Sequence, residues 1–415
     1  MTRFTLAAGV LVSLATSCHS AFAAEGEGRY FVVELAGEFG KDIHAPGIKA
    51  TIADAKKANA THIVFKLDSA GGFVKDAEAI HNVLSEDIGN MKVITIVSQA
   101  FSASVWVLCN SDYIFFDGKD AAGAAVIFNK GEDGAPTAVE AKFASGWWAT
   151  IATAAERHNQ SADVYRAMMI QEAELFSWTI AGELKVDGRR PEDVNAINIR
   201  ELDTKETVLS LTPRLAESIG FGQKLPTGGL PDIGKILQLT KWEEVKSSNS
   251  DPMRRTTSVL KPIDKQVEEC RTRIKKNIEQ VYLKIDAAKA RREMAERASP
   301  EATVTVYYRE GSGYLTAGSQ QAWRQQTERA ISAWRDYQDT LKAIDTAQGN
   351  YTESIAALER SWARQHEKRL WQGEPKKWTG SRICEIDINK DTEWKIAEQQ
   401  IAQLRARMNR NTIDR

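Results

Sequence analysis

Two apolar runs, each closed by small residues, constrain this chain more than any other feature. Thr61 to Leu67 is β-branched and mostly apolar, and it ends in Asp68-Ser69-Ala70-Gly71-Gly72. Lys92 to Val97 is a second such run; Ser98 to Ser102 follow it and lead into Phe101-Ser102-Ala103-Ser104. A short, nearly continuous apolar run bounded by turn residues reads as a strand buried on both faces. Amphipathic stretches follow both: Ala77, Ile80, Val83 and Leu84 share one face after the first, and a helix from Ala103 to Cys109 is expected after the second.

The alternation continues on both sides. Tyr30 to Leu35 reads as the first strand, Gly37 to Gly40 as a turn, and Ala45 to Asn59 as a helix with Ile48, Ile52 and Ala55 on one face. Tyr113 to Phe116 is a fourth strand, closed by Asp117-Gly118. Strand-helix alternation predicts an α/β fold, a parallel sheet with right-handed helical crossovers. Residues 119–137 are rich in Gly, Ala, Asp and Pro and read as loop. Residues 139–160 read as helix, and Ala162 to Glu174 as another. A strand over Glu206–Thr212, a short helix over Pro213–Ile219 and a Gly220-Phe221-Gly222 stop complete this half.

Residues 1–23 read as an export signal: Arg3, an apolar stretch from Leu6 to Leu14, then Ala21-Phe22-Ala23 as a small-x-small cleavage site. The expected location is therefore outside the cytoplasm, periplasmic or secreted. Cys18 opens a lipoprotein alternative, to which Ala15-Thr16-Ser17 are poorly suited. No later segment has the apolar length of a membrane span, so the mature chain is expected to carry no transmembrane anchor. The net charge of −1 argues against nucleic acid or an acidic membrane surface as a bulk partner. Cys109 lies in the apolar run Val105-Trp106-Val107-Leu108 and reads as a buried thiol, whereas Cys270 and Cys384 lie in polar sequence where an oxidising compartment allows one disulfide.

The domain expected over 24–245 gives way to a linker over 246–262, rich in Ser, Asn, Pro and Arg, and then to a helical coiled-coil domain over 263–415. Val267, Cys270, Ile274, Val281 and Ala288 fit one seam. Trp334, Tyr337, Leu341, Ile344, Tyr351, Ile355, Leu358 and Trp362 fit a second, interrupted only by Gln348. Trp394, Ala397, Ile401, Leu404 and Met408 fit a third. Three such segments predict an antiparallel bundle or coiled coil, with the tryptophans as core and Ser299 to Gly318 as connector.

Ser102 at a strand end is the candidate nucleophile, and a serine needs a base. No histidine lies between His81 and His158, and His62 and His81 sit in a strand and an amphipathic helix where structural roles suffice. Lys142 opens an apolar helix after a small-residue loop. It fits a base whose pKa is lowered by burial, and equally a solvated lysine at a helix start. Gly71 and Gly72 offer unhindered N–H groups suited to an oxyanion, and equally a tight strand-to-helix turn.

Taken together, these motifs resemble the ClpP/crotonase superfamily, closest to its NfeD-type branch of membrane-associated ClpP-class serine proteases. The resemblance covers about residues 29–225. In that family an Asp-Thr-Pro-Gly-Gly segment supplies the oxyanion hole, an Ala-Ser-Ala-Gly segment the nucleophile, and a lysine on a later segment the base. It implies Ser102 and Lys142 as catalytic dyad and Gly71 and Gly72 as oxyanion hole. Asp112, Gly123-Ala124-Ala125, Asn159 and Leu211-Thr212 with Ala216 and Gly220 match further landmarks. Ser104 replaces the family's glycine, Phe101 its small residue, and Ser69-Ala70 its Thr-Pro. Ser104 is expected to narrow the oxyanion site and Phe101 to block part of the acyl pocket.

The resulting expectation is an exported, ATP-independent serine endopeptidase acting on a protein or peptide, with no cofactor or metal, assembled as a homo-oligomer. The alternative is a catalytically degenerate scaffold whose helical domain binds partners. A third reading, an acyl-thioester in the oxyanion site, lacks the cytosolic context it requires.

Overall fold

The computed structural model describes residues 26–119, 121–130, 136–139, 141–246, 252–380 and 389–408. The expected export signal with Cys18, and Cys384, lie outside them. The chain divides into two compact units, up to Arg255 and from Thr256.

The first unit begins with the expected alternation: β1 (Glu27–Ala36), α1 (Ala45–Lys57), β2 (His62–Ser69), α2 (Val74–Asp87) and β3 (Lys92–Phe101). A single 3-10 turn (Ser102–Ser104) leads into the short α3 (Val105–Leu108) and then β4 (Tyr113–Phe116). β1, β2, β3 and β4 pair in parallel. The shared interior holds Leu35, Ile63, Phe65, Leu67, Val97 and Phe116, all essentially inaccessible. Apolar burial on both faces is what a parallel sheet covered by crossover helices requires.

The stretch expected as loop after β4 instead contains β5 (Ala122–Gly123), β6 (Phe128–Lys130) and β7 (Pro136–Ala138). β5 runs parallel to the last two residues of β3, where β4 has already ended. A strand of two residues has no period to read in sequence. Next come α4 (Ala141–Arg157) and α5 (Ala162–Met169). The second of these ends five residues earlier than expected, and the chain enters an antiparallel sheet that sequence periodicity does not announce. Its strands are β8 (Leu175–Ile180), β9 (Glu183–Asp187) and β10 (Ile197–Asp203), with β8 central. β9 and β10 are largely solvent-exposed, so no buried face imposes alternation on them.

The expected strand over Glu206–Thr212 shortens to β11 (Ser210–Leu211), antiparallel to β5. Thr212 then caps α6 (Pro213–Ser218) by accepting the Leu215 N–H at 3.2 Å. β12 (Gln223–Lys224) joins β4, and after α7 (Leu230–Ile236), β13 (Lys241–Glu244) adds in parallel to β1.

The expected linker, 246–262, is helical from Pro252 onward, the start of α8 (Pro252–Arg297). Proline is well tolerated in a helix's first turn, whereas Pro262 inside the helix forfeits a backbone hydrogen bond, which is why the sequence reads as broken there. Met253 anchors the start: it is buried, and its Sδ lies 3.4 Å from the His44 N–H.

The second unit continues with α9 (Pro300–Thr303), α10 (Ala317–Arg369) and α11 (Lys390–Arg407). All three expected seams meet in one core, including Val281, Ala288, Leu341, Leu358, Trp362, Ala397 and Leu404. α8 and α10 are antiparallel: Asp264 accepts from Arg369 and Gln365, Asn277 Nδ2 donates to Ser354 Oγ at 2.7 Å, and Gln326 donates to the Ala298 carbonyl. The Cys270 thiol is buried in this core, 3.8 Å from Ser361 Oγ. Leu358→Ala is expected to destabilise the helical unit by about 2–5 kcal/mol, against under about 0.5 kcal/mol for the exposed Leu283→Ala. Denaturant midpoints followed by tryptophan fluorescence check this; equal effects would place the core elsewhere.

Candidate active site

Every candidate with a described side chain is positioned by the carboxyl ends of β1, β2 and β3. The β2–β3 register sets Ser69 opposite Ala100, so the two strands finish level and their connecting turns lie side by side. The chain turns sharply at Ser102, which is held at φ 53° in the left-handed region and is only partly buried. A non-glycine residue there is strained, and a strained strand-to-helix turn is one way a fold lifts a nucleophile above a sheet edge.

Gly71 faces this serine. A Cβ on Gly71 would lie 2.5 Å from Ser102 Cβ and 3.0 Å from Ser102 Oγ, so only glycine permits the approach. Gly71 and Gly72 adopt φ 112° and 150°. A Cβ on Gly72 would collide with the backbone of Phe39 in the β1–α1 turn. That turn is stitched to the glycine pair: Phe39 N–H donates to Gly71 O at 2.9 Å, and Phe73 N–H donates to Phe39 O at 3.0 Å.

The two glycine amides differ. Gly71 N–H donates to Ser69 Oγ at 3.1 Å. The amides of Gly72 and Ala103 donate in none of the hydrogen bonds among the described residues. Since Gly71 O points to Phe39, the trans peptide aims the Gly72 N–H away from it. Ser104 does not stand in the opening. It is fully buried, and its hydroxyl donates to the Ser69 carbonyl at 3.3 Å. Phe101 is half-buried.

Lys142 lies in the first turn of α4 along the chain, but its side chain is outside the described residues, so its distance from Ser102 is not part of this geometry. Gly123-Ala124-Ala125 holds the far side of Ser102's strand: Phe101 pairs with Gly123, Ala124 N–H donates to Leu209 O, and Ala125 N–H to Met168 O. Ala216 is buried in α6 and Asn159 caps the end of α4 at φ 56°. No cluster of His, Cys, Asp or Glu arranged to hold a metal occurs among the described residues.

Asp112 is not beside Ser102. It lies at the opposite edge of the sheet, where β3 begins: its carboxylate accepts from Lys92 Nζ and Val93 N–H, each at 2.8 Å, with His158 Nδ1 at 3.4 Å. Burial alone would raise its pKa, but the nearby His158 ring, hydrogen bonds from Lys92 and Val93 and the Lys92 charge outweigh it, holding the group at about 2. His62 starts β2 at that same edge. Burial pushes it down to about 4, Asp112 opposing and Lys92 reinforcing. His81 is buried in α2 beside Asn110, with Nδ1 2.9 Å from Asn110 Nδ2. The Cys109 thiol is fully buried and its pKa is raised accordingly.

The contributor that the sequence reading passed over is Ser69. It sits inside the quoted motif, but only the fold reveals that its hydroxyl engages the Gly71 amide.

Two consequences can be measured. Gly72→Ala combines a disfavoured φ with a backbone collision and should lower stability by about 1–3 kcal/mol, read as a shift in denaturation midpoint. A neutral effect would mean that Gly72 does not approach Phe39. The second concerns acid. The unfolded chain protonates His62 near 6.5 and the folded chain near 4, so stability falls as pH drops through that window. The loss should approach about 3 kcal/mol below pH 4. The Asp112 contribution is intact above 3.8 and disappears only as pH falls towards 2. Denaturation between pH 7.5 and 4.5 should show this slope, and His62→Gln should flatten it.

Sequence comparison gives a relationship for this unit. The chain is 30% identical over 122 residues to the membrane protein NfeD1b of Bacillus subtilis (strain 168), a match covering 29% of this chain and 26% of that protein. The chain thus spans about a quarter of the length of that relative. Among solved structures, it is similar to a mutant of the 1510-N membrane-bound stomatin-specific protease in complex with a substrate peptide. That likeness has 15% identity and a TM-score of 0.42, covering 56% of this chain and 98% of that one. A 1510-N membrane protease specific for a stomatin homolog from Pyrococcus horikoshii is also 15% identical, with a TM-score of 0.35 over 56% and 99% of the two chains. No described helix of the present chain is long and apolar enough to cross a membrane. Residues 33–186 match the family model described as NfeD1b, N-terminal domain, and over that part of the α/β unit the NfeD-type resemblance carried by its motifs is shown.

Proposed function

We propose that this protein is a serine endopeptidase that cuts peptide bonds of a partner protein without ATP, using Ser102 as nucleophile and Lys142 as base. The observation that carries the reading is the packing of a strained Ser102 against Gly71, so close that a Cβ on Gly71 would collide with it, next to a Gly72 amide that no described group uses. The match of residues 33–186 to the NfeD1b N-terminal domain supports it.

In this mechanism Ser102 Oγ attacks the peptide carbonyl, and the proton passes to a neutral Lys142 Nζ, which returns it to the leaving amine. The carbonyl oxygen becomes an oxyanion beside the Gly71–Gly72 turn, with the Gly72 amide and the Ala103 amide of the 3-10 turn, which donate to no described group, as its donors. Water then attacks the acyl-enzyme carbonyl, Lys142 takes its proton and gives it to Ser102 Oγ as the ester bond breaks, releasing the acid product and the free serine. The export signal delivers the chain out of the cytoplasm, periplasmic or secreted. The α/β unit assembles as a homo-oligomer, and the helical unit recruits protein partners.

A fluorophosphonate probe tests the reading. Wild-type protein should be labelled at Ser102, and Ser102→Ala should abolish labelling. Lys142→Ala should slow it by on the order of 10²–10⁴-fold. The wild-type rate should rise with pH as the lysine loses its proton, then level off. Absence of labelling across pH 6–10 would sink the peptidase reading, and a rate independent of pH would remove Lys142 as base.

A further inference from the structure

We infer that Ser69 and Ser104 act as a pair of positioning hydroxyls that lock the glycine turn against Ser102. This rests on the peptidase reading above for its catalytic consequence, though not for its geometry.

Two successive glycines in unusual conformations are the most permissive backbone a chain can present. Such a turn provides a preorganised donor only if something other than its own side chains holds it. The holding groups form a continuous path. Ser104 follows the nucleophile by two residues, and its hydroxyl donates to the Ser69 carbonyl at 3.3 Å. Ser69 Oγ in turn accepts the Gly71 N–H at 3.1 Å. On the far side of Gly71, its carbonyl accepts from Phe39 N–H at 2.9 Å.

Gly71 is therefore bound at both its amide and its carbonyl, and the Gly71–Gly72 peptide plane is oriented by groups outside it. Ser69 Oγ also reaches the Gly71 carbonyl, at 3.4 Å, and the Ser104 bond ties the Ser69–Ala70 peptide to the 3-10 turn bearing Ser102, so nucleophile and acceptor site move together. Both hydroxyls are essentially inaccessible to water, Ser69 at 1% and Ser104 at 0% exposure. Water cannot readily replace either, and deleting one leaves its buried partner unsatisfied. Ser104 is thus a tether between the two halves of the site.

The test uses the full chain, with Ser69→Ala, Ser69→Thr and Ser104→Ala compared with wild type. Amide hydrogen exchange at Gly71, resolved by fragmentation mass spectrometry, should accelerate about tenfold or more in Ser69→Ala and return to the wild-type rate in Ser69→Thr. Fluorophosphonate labelling of Ser102 at saturating probe should slow by about tenfold to a hundredfold in Ser69→Ala and in Ser104→Ala. Probe affinity should change little, and Ser69→Thr should recover the labelling rate. Wild-type exchange at Gly71 in Ser69→Ala overturns the inference, as does wild-type labelling in both alanine variants. If Ser69→Ala does not fold, Ser104→Ala decides alone, because faster Gly71 exchange is expected there too. Absence of labelling in wild type defeats the peptidase reading, while the exchange measurement still decides whether the brace exists.

Discussion

The level ending of β2 and β3 is the constraint on which the rest of the α/β unit depends. Because Ser69 stands opposite Ala100, the turns leaving both strands occupy one edge of the sheet. A one-residue irregularity after Leu67 resets the pairing, from Leu67 opposite Val97 to Asp68 opposite Gln99, and brings the two strand ends level. The apolar run buried on both faces fixes where β2 and β3 lie in the sheet, and the irregularity after Leu67 sets the pairing at their ends, where Gly71 meets Ser102. The close crossing of Gly72 over Phe39 extends this constraint to β1, so three consecutive strand ends meet at one place.

Around Ser102 the carboxyl ends of β2 and β3 present hydroxyls and backbone amides, while the Asp117 carboxylate past β4 is engaged by Ser98 and Lys119. The amino edge carries ionisable groups: Lys92, Asp112 and His158 in one cluster and His62 nearby. A carboxylate held ionised by the Lys92 and Val93 donors is well suited to fastening a strand start and poorly suited to a site where negative charge must develop. Ser104 illustrates the same economy near the nucleophile, since its hydroxyl serves the backbone of Ser69 and not the opening.

The helical unit rests on other physics. Its helices share an apolar seam, and a few polar links fix how they align. Tyr337 OH donates to Glu393, which also receives Arg292, so one carboxylate joins three helices. Asn277 with Ser354, and Asp264 with Arg369, do the same along the α8–α10 seam. Apolar contact is nearly indifferent to sliding by a heptad, whereas a buried hydrogen bond is lost by it, and such links set register.

The legible parts of this protein were those in which one periodicity spans many residues. The strands β1 to β4 and the seams of α8, α10 and α11 follow from apolar patterning, because burial acts on nearly every side chain of a strand covered on both faces and on every third to fourth side chain of a helix. The glycine pair and Ser102 were legible as candidates, since few residue types suit a tight strand-to-helix turn. What tertiary structure alone decided lacks a period: the two-residue strands β5, β11 and β12, the β8–β10 sheet with its exposed outer strands, and the continuation of α8 through Pro262. It also decided the partners. Asp112 went to the far edge of the sheet, Ser69 to the Gly71 amide and Ser104 to the Ser69 carbonyl, because hydrogen bonds between turns distant in sequence depend on where the strands end. The chain's composition at Asp68 to Gly72 and at Phe101 to Ser104 determined which atoms were available, and the β2–β3 register determined which of them meet.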